Sequence, residues 1–354
     1  MLYSGKIMQQ DLKELIERKY IPYEKLEGKR VLITGAGGML AYYILGTLIY
    51  LNKTRNAGIY VTALVRNEKK AKFQFEEFLT DPYFSLLIQD VNDKIRVEGP
   101  IDYIVHAAGA SSPYAIKHDP LGIIQANTEG TRQVLELAHQ KCVQNVLYTS
   151  TREVYGEVKG KEWITESDIG VLDPLDARSC YPESKRMAEQ MLRSYYEMYQ
   201  VPFQIVRIAH AYGPGMSIEN DGRVMSDFIS DVVHSRDIVI KSDGTSERAF
   251  CYVTDAVAAI FIVMLSEVKN QAYNVANETE PYPIRDVAQI LVNMIPDKKL
   301  KVVFAEHLNQ SGYCQYKRVG LDTAKLQQLG WHPAISLREG LKRTLCSFKA
   351  NVIA

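Results

Sequence analysis

The chain has 354 residues, of which 46% are hydrophobic and 24% charged, a composition typical of a globular protein with one large or two modest domains. Its 42 lysine and arginine residues balance 42 acidic ones, which argues against a protein that coats nucleic acid. No stretch approaches the roughly 20 apolar residues that a membrane span requires. The five cysteines are scattered and lack C-x-x-C spacing, so we expect reduced thiols, a cytoplasmic protein and no metal site.

Residues 1–28 are predicted to form an N-terminal helical extension, because Leu12, Leu15 and Ile16 follow helical spacing. From residue 29 to residue 207, strand-like and helix-like segments alternate, which predicts an α/β Rossmann fold with a doubly wound parallel sheet. The predicted segments are strand Arg30–Thr34, helix Leu40–Asn52, strand Tyr60–Val65, helix Lys69–Leu79, strands Ser85–Gln89 and Tyr103–His106, helix Leu121–His139, strand Asn145–Ser150, helix Glu183–Tyr199 and strand Phe203–Arg207. Residues 208–354 are expected to form mainly a smaller mixed α/β substrate-binding lobe, with segments that return to the dinucleotide-binding domain.

A glycine-rich turn joins the first predicted strand to the first long helix, with G-x-x-G-x-x-A spacing from Gly35 to Ala41. Gly35 permits a tight turn, and Gly38 leaves room for a pyrophosphate beside the backbone. The free N–H groups at the start of the helix would bind the phosphates. The turn therefore predicts a dinucleotide site, with a ligand-free glycine turn as the alternative. Its residues are Gly35, Gly37, Gly38, Met39 and Leu40.

The end of the second predicted strand bears on the choice between NAD and NADP. An acidic residue at this place binds the ribose hydroxyls of NAD, whereas this chain has Arg66. Arg66 could bind the 2′-phosphate of NADP, or it could be a surface residue that is solvated or stacks on adenine. The sequence leaves these alternatives open.

Tyr181 and Lys185 lie four residues apart near the start of a predicted helix, so their side chains share one face. A phenol has a pKa of about 10 and is a poor base at neutral pH, but a nearby ammonium favours the phenolate. The pair could then remove a proton from a sugar hydroxyl while hydride leaves for a nicotinamide. Thr151, at the end of a predicted strand, could share that proton. A chance Tyr-x-x-x-Lys spacing is the alternative.

The order and spacing of these motifs resemble the extended short-chain dehydrogenase family, and within it the nucleotide-sugar epimerases, dehydratases and decarboxylases. The further motifs that carry the resemblance are Asp90-Val91, His106-Ala107-Ala108-Gly109, Asn127-x-x-Gly130-Thr131, Tyr212-Gly213-Pro214, Arg248-Ala249-Phe250-x-Tyr252-Val253-x-Asp255, Tyr273-Asn274-Val275 and Leu329-Gly330-Trp331-x-Pro333. The resemblance implies NAD as the cofactor, with NADP as the alternative, and a homodimer paired through two long helices. It also implies that a further set of residues contacts the cofactor, namely Asp90, Val91, Ala107, Ala108 and Asn127.

Two segments, Arg178–Glu189 and Asn220–Val224, look most like those of UDP-glucuronate decarboxylases. Glu153 stands where decarboxylases and 4,6-dehydratases carry a glutamate, which implies a catalytic role. The chain departs from the family pattern at three positions. Arg152 replaces an aspartate or serine, His210 replaces an asparagine in the substrate site, and Gly215 replaces an arginine.

Arg152 could bind an anionic sugar such as a uronate, or it could point away and pair with Glu153 or another acid. Arg223, Arg248 and Arg318 are candidates for binding the substrate diphosphate. We therefore predict an NAD(P)-dependent enzyme that modifies a nucleotide-diphospho-sugar through transient oxidation at C4, as a UDP-glucuronate decarboxylase-like enzyme or an epimerase. The alternatives are a nucleotide-sugar 4,6-dehydratase, an NADPH-dependent ketoreductase and a non-catalytic cofactor-binding protein.

Overall fold

The computed structural model describes residues 2–305 and 319–352. The strands, in chain order, are β1 Arg30–Thr34, β2 Tyr60–Val65, β3 Phe84–Ile88, β4 Tyr103–His106, β5 Asn145–Thr151, β6 Trp163–Ile164, β7 Phe203–Ile208, β8 Ala211–Tyr212, β9 Ile238–Ile240, β10 Glu247–Ala249, β11 Cys251–Tyr252, β12 Gln271–Val275, β13 Pro281–Pro283, β14 Val302–Phe304 and β15 Gly320–Leu321. The α-helices are α1 Lys6–Ile16, α2 Met39–Arg55, α3 Glu68–Gln74, α4 Pro113–His118, α5 Pro120–Lys141, α6 Cys180–Tyr199, α7 Val224–Val233, α8 Val253–Leu265, α9 Ile284–Asn293, α10 Ala324–Gln327 and α11 Leu337–Val352.

The main sheet has seven parallel strands in the described part of the chain, in the order β12-β7-β5-β4-β1-β2-β3. Strands that are covered on both faces need nearly continuous apolar sequence, and β1 and β4 are accordingly buried along almost their whole length. Helices α2 and α8 pack together in one hydrophobic core, whereas α5 and α6 pack in a second core on the opposite face. The predicted α/β Rossmann fold with a doubly wound parallel sheet is confirmed.

A smaller mixed lobe is built from the segments after β7. In this lobe β10 pairs with β13 in antiparallel fashion, β9 pairs with β14 in parallel fashion, and α7 and α9 pack beside these strands. The chain returns to the main sheet at β12, which pairs with β7 at the sheet edge. In residues 2–305 and 319–352, no helix is both long and apolar enough to cross a membrane.

The N-terminal helix α1 packs against α2, α8 and α11. The contact is centred on Asp11, which is fully buried. Its carboxylate accepts hydrogen bonds from Tyr43 (2.8 Å), Tyr252 (2.7 Å) and Arg343 (2.8 Å). A buried charge is tolerated only when it is paired and hydrogen-bonded, so these three donors stabilise the docked position of α1.

Helix boundaries are where the prediction and the structure differ most. Helix α6 begins at Cys180 rather than at Glu183, so the predicted Tyr–Lys pair lies wholly within its first two turns. The helix predicted over 69–79 ends early and is followed by a 3-10 turn, because Phe75 and Phe78 both turn into the core. Helix α4 was not predicted from the sequence, and it is too short to show periodicity.

Candidate active site

A cleft of about 2040 Å³ opens along the carboxyl edge of the main sheet and extends to the second lobe. Ligands of doubly wound sheets bind at this edge, because the loops that follow the parallel strands meet there. Most of the predicted site residues line the cleft: Gly37, Gly38, Met39, Leu40, Ala107, Thr151, Arg152, Glu153, Tyr181, Lys185, His210, Arg223 and Arg248. Gly35, Arg66, Asp90, Val91, Ala108 and Asn127 are not part of this lining. Arg318 lies outside the described residues.

The loop after β1 is shaped to hold a pyrophosphate. Gly35 has a φ of 63°, and a Cβ at this position would lie 2.6 Å from the carbonyl oxygen of Ala107, so a side chain would not fit. Gly38 is the N-cap of α2. The N–H groups of Met39 and Leu40 belong to the first helical turn and have no partner within the helix. They line the cleft at the positive end of the helix dipole, which favours an anion.

Asn127 provides a buried acceptor beneath the loop after β4. Its Nδ2 donates to Ser184 Oγ at 2.9 Å, whereas its Oδ1 accepts no hydrogen bond from the described residues. A Cβ added to Gly109 would lie 2.8 Å from this oxygen and 3.9 Å from Lys185 Nζ. Because buried acceptors rarely lack a donor, this arrangement fits a bound ligand that supplies one.

Arg66 and Asp90 lie at the carboxyl ends of β2 and β3, with Arg66 Nη1 3.7 Å from Asp90 Oδ2. The neighbouring carboxylate weakens the attraction of Arg66 for a 2′-phosphate and so favours NAD over NADP. Val91 is buried in the core that contains α5, and the N–H of Ala108 donates to a side chain of β1 at 3.3 Å. Val91 and Ala108 therefore belong to the packed core next to the cleft and do not line it.

Tyr181 is buried at the floor of the cleft, with only 5% of its surface exposed. Burial raises the pKa of its phenol above the usual value, and the charge of Glu153 adds to this effect. Hydrogen bonds with Thr151 and Ser111 oppose the rise in this pKa. From the sequence we expected the ammonium of Lys185 to lower the pKa of Tyr181. In the structure, burial has the larger effect and raises this pKa. The phenol is therefore protonated at neutral pH.

Lys185 lies one turn beyond Tyr181 on α6. Its Nζ donates to the carbonyl oxygen of Thr149 at 2.8 Å and lies 4.5 Å from the centre of the Tyr148 ring. Burial lowers the pKa of Lys185 to about 7, and the charge of Glu189 opposes this effect. The amine thus changes its charge near neutral pH.

Glu153 is held by an arginine other than its sequence neighbour. Arg178 donates to its two carboxylate oxygens at 2.8 Å and 3.2 Å. This fork-like pairing fixes the plane of the carboxylate at the rim of the cleft. Glu153 therefore pairs with Arg178 and not with Arg152.

Arg152 extends from the end of β5 toward the second lobe. Its Nη1 lies 3.4 Å from His210 Nε2, and its Nη2 donates to the carbonyl oxygen of Val319 at 3.2 Å. Burial lowers the pKa of His210 well below its usual value, and the charges of Arg152 and Arg248 lower it further. A neutral imidazole can accept a hydrogen bond from the guanidinium. His210 also has a φ of 49°, a strained conformation that is frequent at functional sites.

The two remaining arginines line the side of the cleft formed by the second lobe. Arg223 Nε and Nη2 donate to the carboxylate of Asp221 at 2.6 Å and 2.8 Å, which offsets its charge. Arg248 Nη1 donates to the carbonyl oxygen of Glu247 at 2.8 Å. Both arginines line the cleft and are candidates for binding an anionic substrate group.

A family model described as the NAD dependent epimerase/dehydratase family matches residues 31–276. The chain belongs to this family. It is 33% identical over 315 residues to UDP-glucuronic acid decarboxylase 6 of Arabidopsis thaliana, covering 88% of this chain and 86% of that protein. It is 30% identical over 346 residues to UDP-glucuronic acid decarboxylase 1 of Xenopus tropicalis, covering 97% of this chain and 78% of that protein.

Solved structures of the epimerase/dehydratase group share the fold. An epimerase from Methanothermobacter thermautotrophicus superposes with a TM-score of 0.80 at 20% identity, covering 98% of this chain and 97% of that chain. A UDP-glucuronic acid 4-epimerase from Bacillus cereus, solved with UDP-glucuronic acid and NAD, gives a TM-score of 0.74 at 20% identity, covering 91% and 99%.

NAD is the cofactor of this epimerase/dehydratase family member, and the residues present fit it. The tight turn at Gly35, the free N–H groups at the start of α2 and the unpaired Oδ1 of Asn127 are the features that a dinucleotide would engage. The described residues contain no group of three or more histidine, cysteine and acidic side chains that could hold a metal ion.

Sequence reasoning missed two polar residues that line the cleft, Ser111 and Gln74, and named His106 only as part of a motif. Ser111, which hydrogen-bonds to Tyr181, follows the predicted His-Ala-Ala-Gly motif closely enough to have been included. His106 is buried between Thr34 Oγ1 (2.7 Å) and a threonine of α5. Gln74 Nε2 donates to the carbonyl oxygen of Gly37 at 3.1 Å, a contact that depends on how α3 packs and has no local sequence signal.

Proposed function

We propose that this enzyme oxidises a nucleotide-linked uronic acid at C4 and then releases its carboxyl group as carbon dioxide. The observation that carries this proposal is the setting of Arg152, which lines the cleft directly after Thr151. Within residues 2–305 and 319–352, its polar contacts are the imidazole of His210 and the carbonyl oxygen of Val319, and neither is an acid. The guanidinium therefore keeps its charge for a substrate carboxylate, whose planar geometry it matches. The similarity to proteins named UDP-glucuronic acid decarboxylases supports the same activity.

The first step removes hydrogen from C4 of the sugar. When bound, NAD supplies the hydride acceptor and a positive charge that favours the phenolate of Tyr181. Tyr181 accepts the proton of the C4 hydroxyl as general base, and the Thr151 hydroxyl positions that proton through its hydrogen bond to the phenol. The charged form of Lys185 stabilises the phenolate from the next turn of the helix.

The C4 ketone formed in this way is β to the C6 carboxylate. The C5–C6 bond then breaks, carbon dioxide leaves, and the electron pair of this bond passes into the C4 carbonyl as an enolate. A proton from water then adds to C5, a hydride returns to C4, and the proton held by Tyr181 returns to the C4 oxygen, which gives a nucleotide-linked pentose. Arg152 holds the carboxylate before cleavage, and Glu153, the next residue in the chain, is fixed by Arg178.

This proposal is tested by incubating the purified protein with UDP-glucuronate, UDP-glucose and dTDP-glucose and identifying products by mass spectrometry and NMR. We expect UDP-glucuronate to lose carbon dioxide and the neutral hexoses to react much more slowly. A C4 epimer that keeps its carboxylate would instead indicate an epimerase. Preferred turnover of a neutral hexose would contradict the proposal.

We also propose that the protein is cytoplasmic and that residues 29–207 form its dinucleotide-binding domain. We further propose that it is a homodimer that pairs through α5 and α6. Exposed apolar side chains on these helices, including Leu121 and Met198, support the pairing. Light scattering at micromolar concentration should give twice the mass of the chain. A monomer would contradict this part of the proposal.

A further inference from the structure

The N-terminal segment reaches the cleft, although it lies before residue 31, where the family match begins. Leu2 lines the same cleft as Gly38, Met39 and Leu40, which form the start of α2. A residue that the family pattern does not include thus forms part of the wall around the cofactor site.

On the second lobe, Gly215 lies beside the side chain of Leu2. It has a φ of 83°, and a Cβ added there would lie 2.7 Å from Leu2 Cδ2, with no other described atom within 4 Å outside Gly215 and its two chain neighbours. Gly215 stands where the resemblance predicts an arginine. The space that a long side chain would take at this position is therefore bordered by Leu2.

The segment that carries Leu2 is fixed by its neighbours. The ring of Tyr3 packs edge-on against Phe78 with centroids 4.7 Å apart, and Gln9 Nε2 donates to the Tyr3 carbonyl oxygen at 2.7 Å. The Tyr3 backbone also hydrogen-bonds to the hydroxyl of Tyr42, which lies in the first turns of α2. Leu2 is thus held beside the phosphate-binding turn by contacts on the main domain.

We infer that Leu2 and Gly215 form a bridge across the cleft at the phosphate-binding end of α2, and that this bridge slows the release of NAD. The Leu2–Gly215 bridge joins the main domain to the second lobe in the same cleft that the start of α2 lines. Opening it exposes the Leu2 side chain to water, which costs free energy. An enzyme that reduces and reoxidises the same nicotinamide in each cycle benefits from such retention.

Release of NAD from the holoenzyme tests this inference. Full-length protein is loaded with isotopically labelled NAD and mixed with excess unlabelled NAD, and the bound label is followed by rapid gel filtration. Leu2→Ala should speed release on the order of tenfold, because contacts at a binding interface act mainly on dissociation rates. Leu79→Ala is the matched control, because it makes the same change at an exposed leucine that does not line the cleft.

Gly215→Ala provides a second route to the same contact, because its new methyl group would displace Leu2. It should also speed release, and the double variant should release NAD more slowly than the product of the two single effects would give, because both changes act on one contact. Wild-type release rates in both Leu2→Ala and Gly215→Ala would overturn the inference. The assay contains no sugar, so its outcome does not depend on the proposed decarboxylation.

Discussion

At the scale of single residues, burial shifts the proton affinities of Tyr181 and Lys185 in opposite directions. Desolvation disfavours the charged form of each group, so it raises the pKa of the phenol and lowers that of the amine to about 7. The site thus holds a protonated phenol beside an amine that is readily neutralised. A bound cation and the charged amine are then needed to make the phenol a base, which links catalysis to binding of NAD.

Removing the phenol hydroxyl should abolish this base. Tyr181→Phe keeps the packing of the ring, so we expect hydride transfer to fall by at least about a hundredfold, as is typical for loss of a general base. Single-turnover absorbance of the reduced nicotinamide measures this step. Tyr199→Phe, on the exposed end of the same helix, is the control. Unchanged hydride transfer in Tyr181→Phe would show that another group accepts the proton.

The lowered pKa of Lys185 also predicts how stability depends on pH. Between about pH 7 and the usual lysine value of 10.5, the unfolded chain binds a proton at this residue that the folded chain does not. The free energy of unfolding should therefore rise with pH, by up to about 1.4 kcal/mol per pH unit from this residue. Urea denaturation of the wild type and Lys185→Met at several pH values isolates the effect. A constant difference between the two proteins would contradict the shift.

Arg152 should set the preference for an anionic sugar. In Arg152→Ala, the ratio of kcat/KM for UDP-glucuronate to kcat/KM for UDP-glucose should fall. The expected fall corresponds to about 1.5–3 kcal/mol, the range for a hydrogen bond to a charged group. Arg152→Lys keeps the charge but loses the two-pronged geometry, so it should restore part of the preference. An unchanged ratio in Arg152→Ala would place the carboxylate elsewhere.

At the scale of secondary-structure elements, the sequence predicted the sheet strands closely because each is a short, apolar run bounded by turns. The strands Tyr60–Val65 and Tyr103–His106 have the predicted bounds. Helix starts were less predictable, because Cys180 enters α6 through a 3-10 turn capped by Asp176. The position of β12 at the sheet edge could not be predicted, since its pairing with β7 joins residues far apart in the chain.

A buried ion pair between Asp11 and Arg343 contributes to the docking of α1. Arg343→Ala removes the cation that pairs with Asp11 and leaves its carboxylate buried with two hydroxyl donors, so we expect a loss of about 3–5 kcal/mol in the free energy of unfolding. Arg338→Ala, exposed on the same helix, is the control. A loss below about 1 kcal/mol in urea denaturation would show that apolar packing alone fixes α1.

At the scale of the whole molecule, the cleft is completed by segments that lie at opposite ends of the chain. Leu2 borders one part of it, and the carbonyl oxygen of Val319 orients Arg152 in another. Local motifs predicted the residues to which we assign the chemistry, because the family pattern places them next to strand ends. The partners that orient them come from distant segments, and no spacing in the sequence encodes those contacts.

Oxidation at C4 should lead to loss of the carboxylate within this single enzyme. UDP-glucuronate labelled with deuterium at C4 and carbon-13 at C6 tests it most directly, with mass spectrometry of the released gas and NMR of the nucleotide sugar. We expect that labelled carbon dioxide is released and that deuterium remains at C4 of the pentose product, because the same bound nicotinamide returns the deuterium to C4. Retention of the labelled carboxylate, or a product without deuterium at C4, would contradict the account.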